Sequence, residues 1–194
     1  MRAVANIHIF FRRQDDRRAL RVPAFFGVLF FVFALLPAEV GVAGESDKEV
    51  LIEKVPFFVQ EAYQCGPASL AGVLNFFGVT ITPAEIAAEV FSSSARGVLG
   101  IDLALYAQKK GLQSDFYRGD TEDLRRQIDS GRPVIVLVDY GFWVYERGHF
   151  MVVVGYNDTG FIVNTGASRM KFIANADFAS PWRKAGFWTL VIHP

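Results

Sequence analysis

The spacing of apolar residues along this chain changes from place to place, and the changes mark its elements. From Val22 to Leu36 the run is almost wholly apolar, and Pro37 ends it. From Gly44 to Lys54 the chain turns polar and acidic. Val55-Pro56-Phe57-Phe58-Val59 reads as an extended entry segment leading to Gln60. Leu70, Val73, Leu74 and Phe77 then recur at helical spacing. Pro67 suits the first turn of that helix and Gly78 its C-cap. Thr82-Pro83-Ala84-Glu85 has the spacing of a capping box, with Pro at the first helical position, and predicts a short helix through Val90. Asp102 to Lys110 predicts a third helix, closed by Gly111. Phe116-Tyr117 predicts a short strand, and Asp120 or Thr121 caps a helix ending near Ser130-Gly131.

The period then shortens. Val134-Ile135-Val136-Leu137-Val138 is apolar throughout and predicts a strand buried on both faces. Phe150 to Tyr156 predicts a second buried strand, Gly160 to Gly166 a third behind a turn at Asp158-Thr159, and Phe187 to Ile192 a last one. Helices come first and strands afterwards, which is an α+β pattern.

Composition changes this picture mainly at the N-terminus. The 194 residues suggest one domain, and a 52% hydrophobic content with 19 Phe supplies an ample core. Arg12, Arg13, Arg17, Arg18 and Arg21 precede the apolar run, and Gly41-Val42-Ala43 follows it with small residues where a signal peptidase needs them. Residues 1–43 therefore read as an export signal, with 44–54 a short linker and 55–194 the folded body. An uncleaved anchor, with the body outside the cytoplasm, is the alternative. Six of the 20 basic and three of the 20 acidic residues lie in that leader, leaving 14 against 17 and a net charge of −3. The body has no basic cluster, so nothing points to nucleic acid. It shows neither ligand-spaced His and Cys nor a phosphate-binding glycine loop, so no metal or organic cofactor is implied.

Two positions carry candidate chemistry. Cys65 is the sole cysteine and stands where the first helix begins, at the positive end of the helix dipole, which favours thiolate. A buried structural cysteine is the ordinary alternative. In an exported chain, however, structural cysteines come in pairs, and a single one marks a reactive thiol. Gly66 leaves the backbone beside the sulfur open to a substrate, and Gln60 lies near enough upstream to offer an amide donor. A thiol nucleophile needs a base. Of the three histidines, His8 lies in the leader and His193 is penultimate, where chains fray. His149 follows Gly148 at the mouth of the second strand. Just before it, Tyr140, Phe142, Trp143 and Tyr145 offer aromatic walls for a peptide groove, or a loop folded onto the core.

Gln60, then Gln64-Cys65-Gly66-Pro67-Ala68, then Gly148-His149-Phe150 before a Val-rich strand, resembles the C39 peptidases, a papain-like family. The C-terminal run with Trp182 and Gly186-Phe187-Trp188 is similar to the stand-alone, exported branch of Gram-negative bacteria. The resemblance implies a papain-like fold with the nucleophile helix packed on an antiparallel sheet. It also implies a thiol peptidase acting on peptide or protein substrates, with Cys65 as nucleophile, His149 as base and Gln60 as oxyanion donor. Gly66, Gly148, Trp143 and Tyr145 would line the substrate. Leader-cleaving members carry an Asp to orient the His, and here the matching place holds Asn164-Thr165-Gly166. Asn164 is the expected orienting residue, with Asp158 and Asp139 as lesser candidates. A catalytically weak peptide-binding module is the competing expectation.

Overall fold

The computed structural model describes residues 48–60, 63–92, 97–141 and 147–194. The leader read at 1–43 lies outside them. Strand β1, Val50–Leu51, lies within the stretch expected to be a linker and pairs with the far end of a later strand. Ile52 behind it is buried, so the folded body begins before Val55.

Helix α1, Cys65–Phe76, is the centre of the first half. Its residues Gly66 to Leu74 are all buried, so it is wrapped on every side and has no solvent stripe. Gly72 permits this closeness: a Cβ there would meet the Pro56 carbonyl at 2.6 Å. The entry segment thus crosses α1 in backbone contact and delivers Gln60 to it. Helix α2, Pro83–Val90, starts on the predicted capping box, with Glu85 N–H donating to Thr82 Oγ1 and Thr82 N–H to Glu85 Oε2. Helix α3, Gly100–Lys109, begins two residues earlier than the sequence pattern indicates. Strand β2, Gln113–Arg118, leads to α4, Thr121–Asp129, whose cap is Asp120 Oδ1 accepting from Asp123 N–H at 2.7 Å.

The remaining strands are β3 (Val134–Asp139), β4 (Gly148–Tyr156), β5 (Gly160–Thr165), β6 (Ser168–Ala174) and, after helix α5 (Asn175–Lys184), β7 (Trp188–His193). They form one antiparallel sheet in the order β2-β7-β3-β4-β5-β6, with β1 added on β4. His193 does not fray: it pairs with Gln113 and lies 3.7 Å from Asp115 Oδ2. Helix α5 anchors Phe178 and Trp182, both fully buried. Among the described residues, no helix is long and apolar enough to cross a membrane.

The decisive irregularity is a bulge in β4. Tyr156 and Gly155 oppose Phe161 and Ile162, but Val153 opposes Val163 and Val152 opposes Asn164. One extra residue in β4 shifts the register, and in a strand a one-residue shift exchanges the two faces. Without the bulge Asn164 would share a face with His149. With it, Asn164 shares a face with Val152, and Thr165 comes to the side of Met151 and His149.

Candidate active site

Cys65 is the first residue of α1, half-buried and free of disulfide. Exposed Tyr63, at φ 64, turns the chain just ahead of it, a conformation that costs a non-glycine residue about 1 kcal/mol. The intrahelical ladder opens with Ala68 N–H donating to Gln64 O at 2.9 Å, and Pro67 has no N–H. The N–H groups of Cys65 and Gly66 therefore lie outside that ladder, as the first donors of any helix do. No acidic side chain sits in the first turn to compete for them.

Gly66 departs from its expected role. It is buried, and a Cβ there would meet Phe150 at 3.3 Å, Val98 at 3.4 Å and Leu103 at 3.5 Å. Its missing side chain makes room for protein rather than for a substrate. The contact is nonetheless informative: it seats the start of α1 against Phe150, the neighbour of His149. Gly148, on the other side of His149, is exposed at the head of β4.

His149 is partly buried, and its Nε2 lies 2.7 Å from Thr165 Oγ1. In the tautomer whose Nε2–H donates to that hydroxyl, Nδ1 is the ring nitrogen able to take a proton. Burial, and then the positive charge of Arg147, hold the imidazole below its ordinary range, so its neutral form is favoured. The Tyr140 ring is tilted over it, with centroids 6.1 Å apart. Among the described residues, no hydrogen bond joins Cys65 to His149.

Asn164 does not orient the imidazole. It is buried on the opposite strand face, and its Oδ1 accepts from Met170 N–H at 2.9 Å, fixing β6 where Met170 takes φ 52. Asp139 is also turned away: its Oδ1 accepts from the N–H groups of Gly141 (2.7 Å) and Arg147 (2.8 Å), which hold its carboxyl below the usual range. Asp158 lies in the β4–β5 turn, at the opposite end of β4 from His149, where its carbonyl accepts from Asn175 Nδ2. Trp143 and Tyr145, expected to line the groove, lie outside the described residues, as does Phe142.

Gln60 is the junction of these parts. Its N–H donates to Gly166 O at 2.9 Å, and its Oε1 accepts from Gly166 N–H, also at 2.9 Å. Its Nε2 donates to Ser69 Oγ at 3.3 Å and Phe150 O at 3.4 Å, both long for amide bonds. Ser69 is one helical turn from Cys65, Phe150 adjoins His149 and Gly166 adjoins Thr165. One amide thus ties together the three segments that carry the candidate groups. Thr165 itself went unread in the sequence, because only the bulge brings it to His149. Among the described residues, no His, Cys, Asp and Glu side chains converge as a metal site.

The sequence model of the Peptidase_C39 like family matches residues 52–189, from just behind β1 into the last strand, and the chain belongs to that family. Two uncharacterized proteins are similar in sequence. The one from Methanothermobacter marburgensis is 33% identical over 57% of this chain and 70% of its own, and the one from Methanothermobacter thermautotrophicus 31% over 55% and 67%. Among solved structures, a Bacillus anthracis protein described as a C39-like peptidase superposes with a TM-score of 0.66 at 17% identity, over 76% of this chain and 98% of its own. The peptidase domain of Streptococcus ComA, a bifunctional ABC transporter of a quorum-sensing pathway, gives 0.61 at 22%, over 73% and 99%. A double-glycine-motif protease from a transporter, solved with its leader peptide, gives 0.57 at 24%, over 73% and 92%. At these identities the likeness shows the fold: a C39-type mixture of helices on an antiparallel sheet.

Proposed function

We propose that this C39-like protein is an exported thiol peptidase that cuts peptide bonds through Cys65 and His149. The observation that carries the reading is the packing of Gly66 against Phe150, which brings the start of α1 to the mouth of β4. His149 Nδ1 takes the thiol proton, and the thiolate attacks the substrate carbonyl carbon. The oxyanion is received by helix-start N–H groups, Cys65 foremost, and by the Gln60 amide. The tetrahedral adduct collapses to a thioester as the imidazolium gives its proton to the leaving amine. Water, deprotonated by His149, then releases the acid and restores the thiol. The test is digestion of a peptide mixture. New termini should form with the wild-type protein and not with Cys65→Ala.

A peptide-binding module is the second reading, and two observations favour it. Among the described residues, no carboxylate meets His149 and no hydrogen bond joins it to Cys65. Under that reading peptides are retained but not cut.

Gln60 separates further roles. Its Oε1 is fixed by Gly166, while its long bonds to Ser69 and Phe150 leave the Nε2 donors weakly held, so that an oxyanion can draw one of them. Gln60→Ala is expected to lower kcat by roughly 10²–10³ with KM little changed, the usual effect of losing one such donor. An effect on KM alone would make Gln60 a substrate-binding residue instead. Export has its own readout: in the proposed reading, mass spectrometry of the mature protein finds Gly44 at the N-terminus. A full-length chain retained in the membrane would replace the cleaved signal with an anchor.

A further inference from the structure

We propose that Thr165 is the positioning residue for His149: its hydroxyl holds Nε2 and leaves Nδ1 to take the Cys65 proton, so the base works without a carboxylate behind it. This rests on the peptidase reading and adds the group that reading lacks.

The geometry is specific. Oγ1 lies 2.7 Å from Nε2, a short hydrogen bond. Thr165 is held from two sides. Behind it β5 is buried from Gly160 to Asn164. Ahead of it, Thr165 pairs with Ser168 across a two-residue connection whose first residue, Gly166, takes φ 55, as tight hairpins require. That glycine is clamped by both the N–H and the Oε1 of Gln60. A β-branched side chain on a pinned backbone has few rotamers, so the hydroxyl is a fixed partner rather than a chance contact.

The groups around the ring make this consequential. Arg147, two residues upstream, supplies positive charge. Asp139 is engaged with two backbone N–H groups, Tyr140 presents a neutral ring, and Lys184 Nζ donates to Gly141 O. The first turn of α1 has no acidic residue, and residues 160–171 contain neither Asp nor Glu. A hydroxyl accepts from Nε2–H in both the neutral and the protonated ring. It therefore orients the base without adding negative charge that would favour imidazolium. Burial and Arg147 favour the neutral imidazole, the form that can accept a proton. When the thiol gives up its proton the Sγ–H bond breaks and the Nδ1–H bond forms.

Three variants and two readouts test this. Thr165→Val keeps the shape and removes the hydroxyl. It should lower kcat by about 10- to 100-fold, by analogy with the hydrogen-bond partners that orient metal-bound imidazoles, with KM little changed. Thr165→Ser should recover most of that loss. Thr165→Asp should raise the midpoint of the His149 titration, followed by NMR, by about 1–3 pH units through the new opposite charge. Wild-type kcat in the Val variant, or an unmoved His149 midpoint in the Asp variant, overturns the proposal. If the wild-type protein cuts no peptide, the peptidase reading falls alone. The titration then decides the pairing: a raised midpoint supports it and an unchanged one overturns it.

Discussion

Replacing Cys65 with Ala is expected to abolish peptide hydrolysis and leave the fold in place. Cys65 is the sole thiol of the chain, so no other residue can take its part in a thioester. Losing the nucleophile of such a site lowers kcat by roughly 10⁶. The fold should tolerate the change. The side chain is only half-buried at the first position of α1, and Ala is the best helix former, so the effect on stability should stay within about 1 kcal/mol. The measurement is kcat/KM on a cleaved peptide beside a thermal melt of each protein. A variant that melts like the wild type and keeps more than a few per cent of its activity removes Cys65 from the chemistry.

The second large effect is expected at His149. His149→Ala removes the acceptor of the thiol proton and the donor to the leaving amine. A positioned general base contributes about 10²–10⁴ in rate. The pH profile gives a sharper signature. Burial and Arg147 hold His149 below the ordinary histidine value of 6.5. A depressed pKa means that the neutral, proton-accepting form persists to lower pH. The acid limb of kcat/KM should therefore fall below pH 6.5 in the wild type and vanish in His149→Ala. An acid limb unchanged in the variant would assign it to another group.

How legible this was from sequence depends on how local each feature is. The helix behind Cys65, the capping box at Thr82 and the buried strand ahead of His149 are written in short-range periodicity. The nucleophile and base could be named because each stands at an element boundary that local chemistry marks. The orienting residue is different. The choice between Asn164 and Thr165 turns on a bulge beside Gly155, where the Val50 carbonyl of β1 lies 2.6 Å from the position a Cβ would occupy. That contact joins residues a hundred positions apart, and β1 itself is two residues inside what reads as a linker. Gly66 was misread for a related reason: an unoccupied Cα looks open in sequence, and only packing shows Phe150 filling the space. Helix α5 is hidden by Pro181 within it, and β6 by its mostly exposed side chains, which leave no apolar alternation.

The most direct test of the central claim is to trap the thioester. A peptide ester or amide that the protein accepts is mixed with it, quenched in acid within the first turnover, and the intact protein is weighed. The account predicts a mass increase equal to the acyl half of the peptide, mapped to Cys65 and lost in Cys65→Ala. Bound peptide with no adduct on Cys65 and no cleavage at any time would contradict it, and would leave a C39-like fold that holds peptides without cutting them.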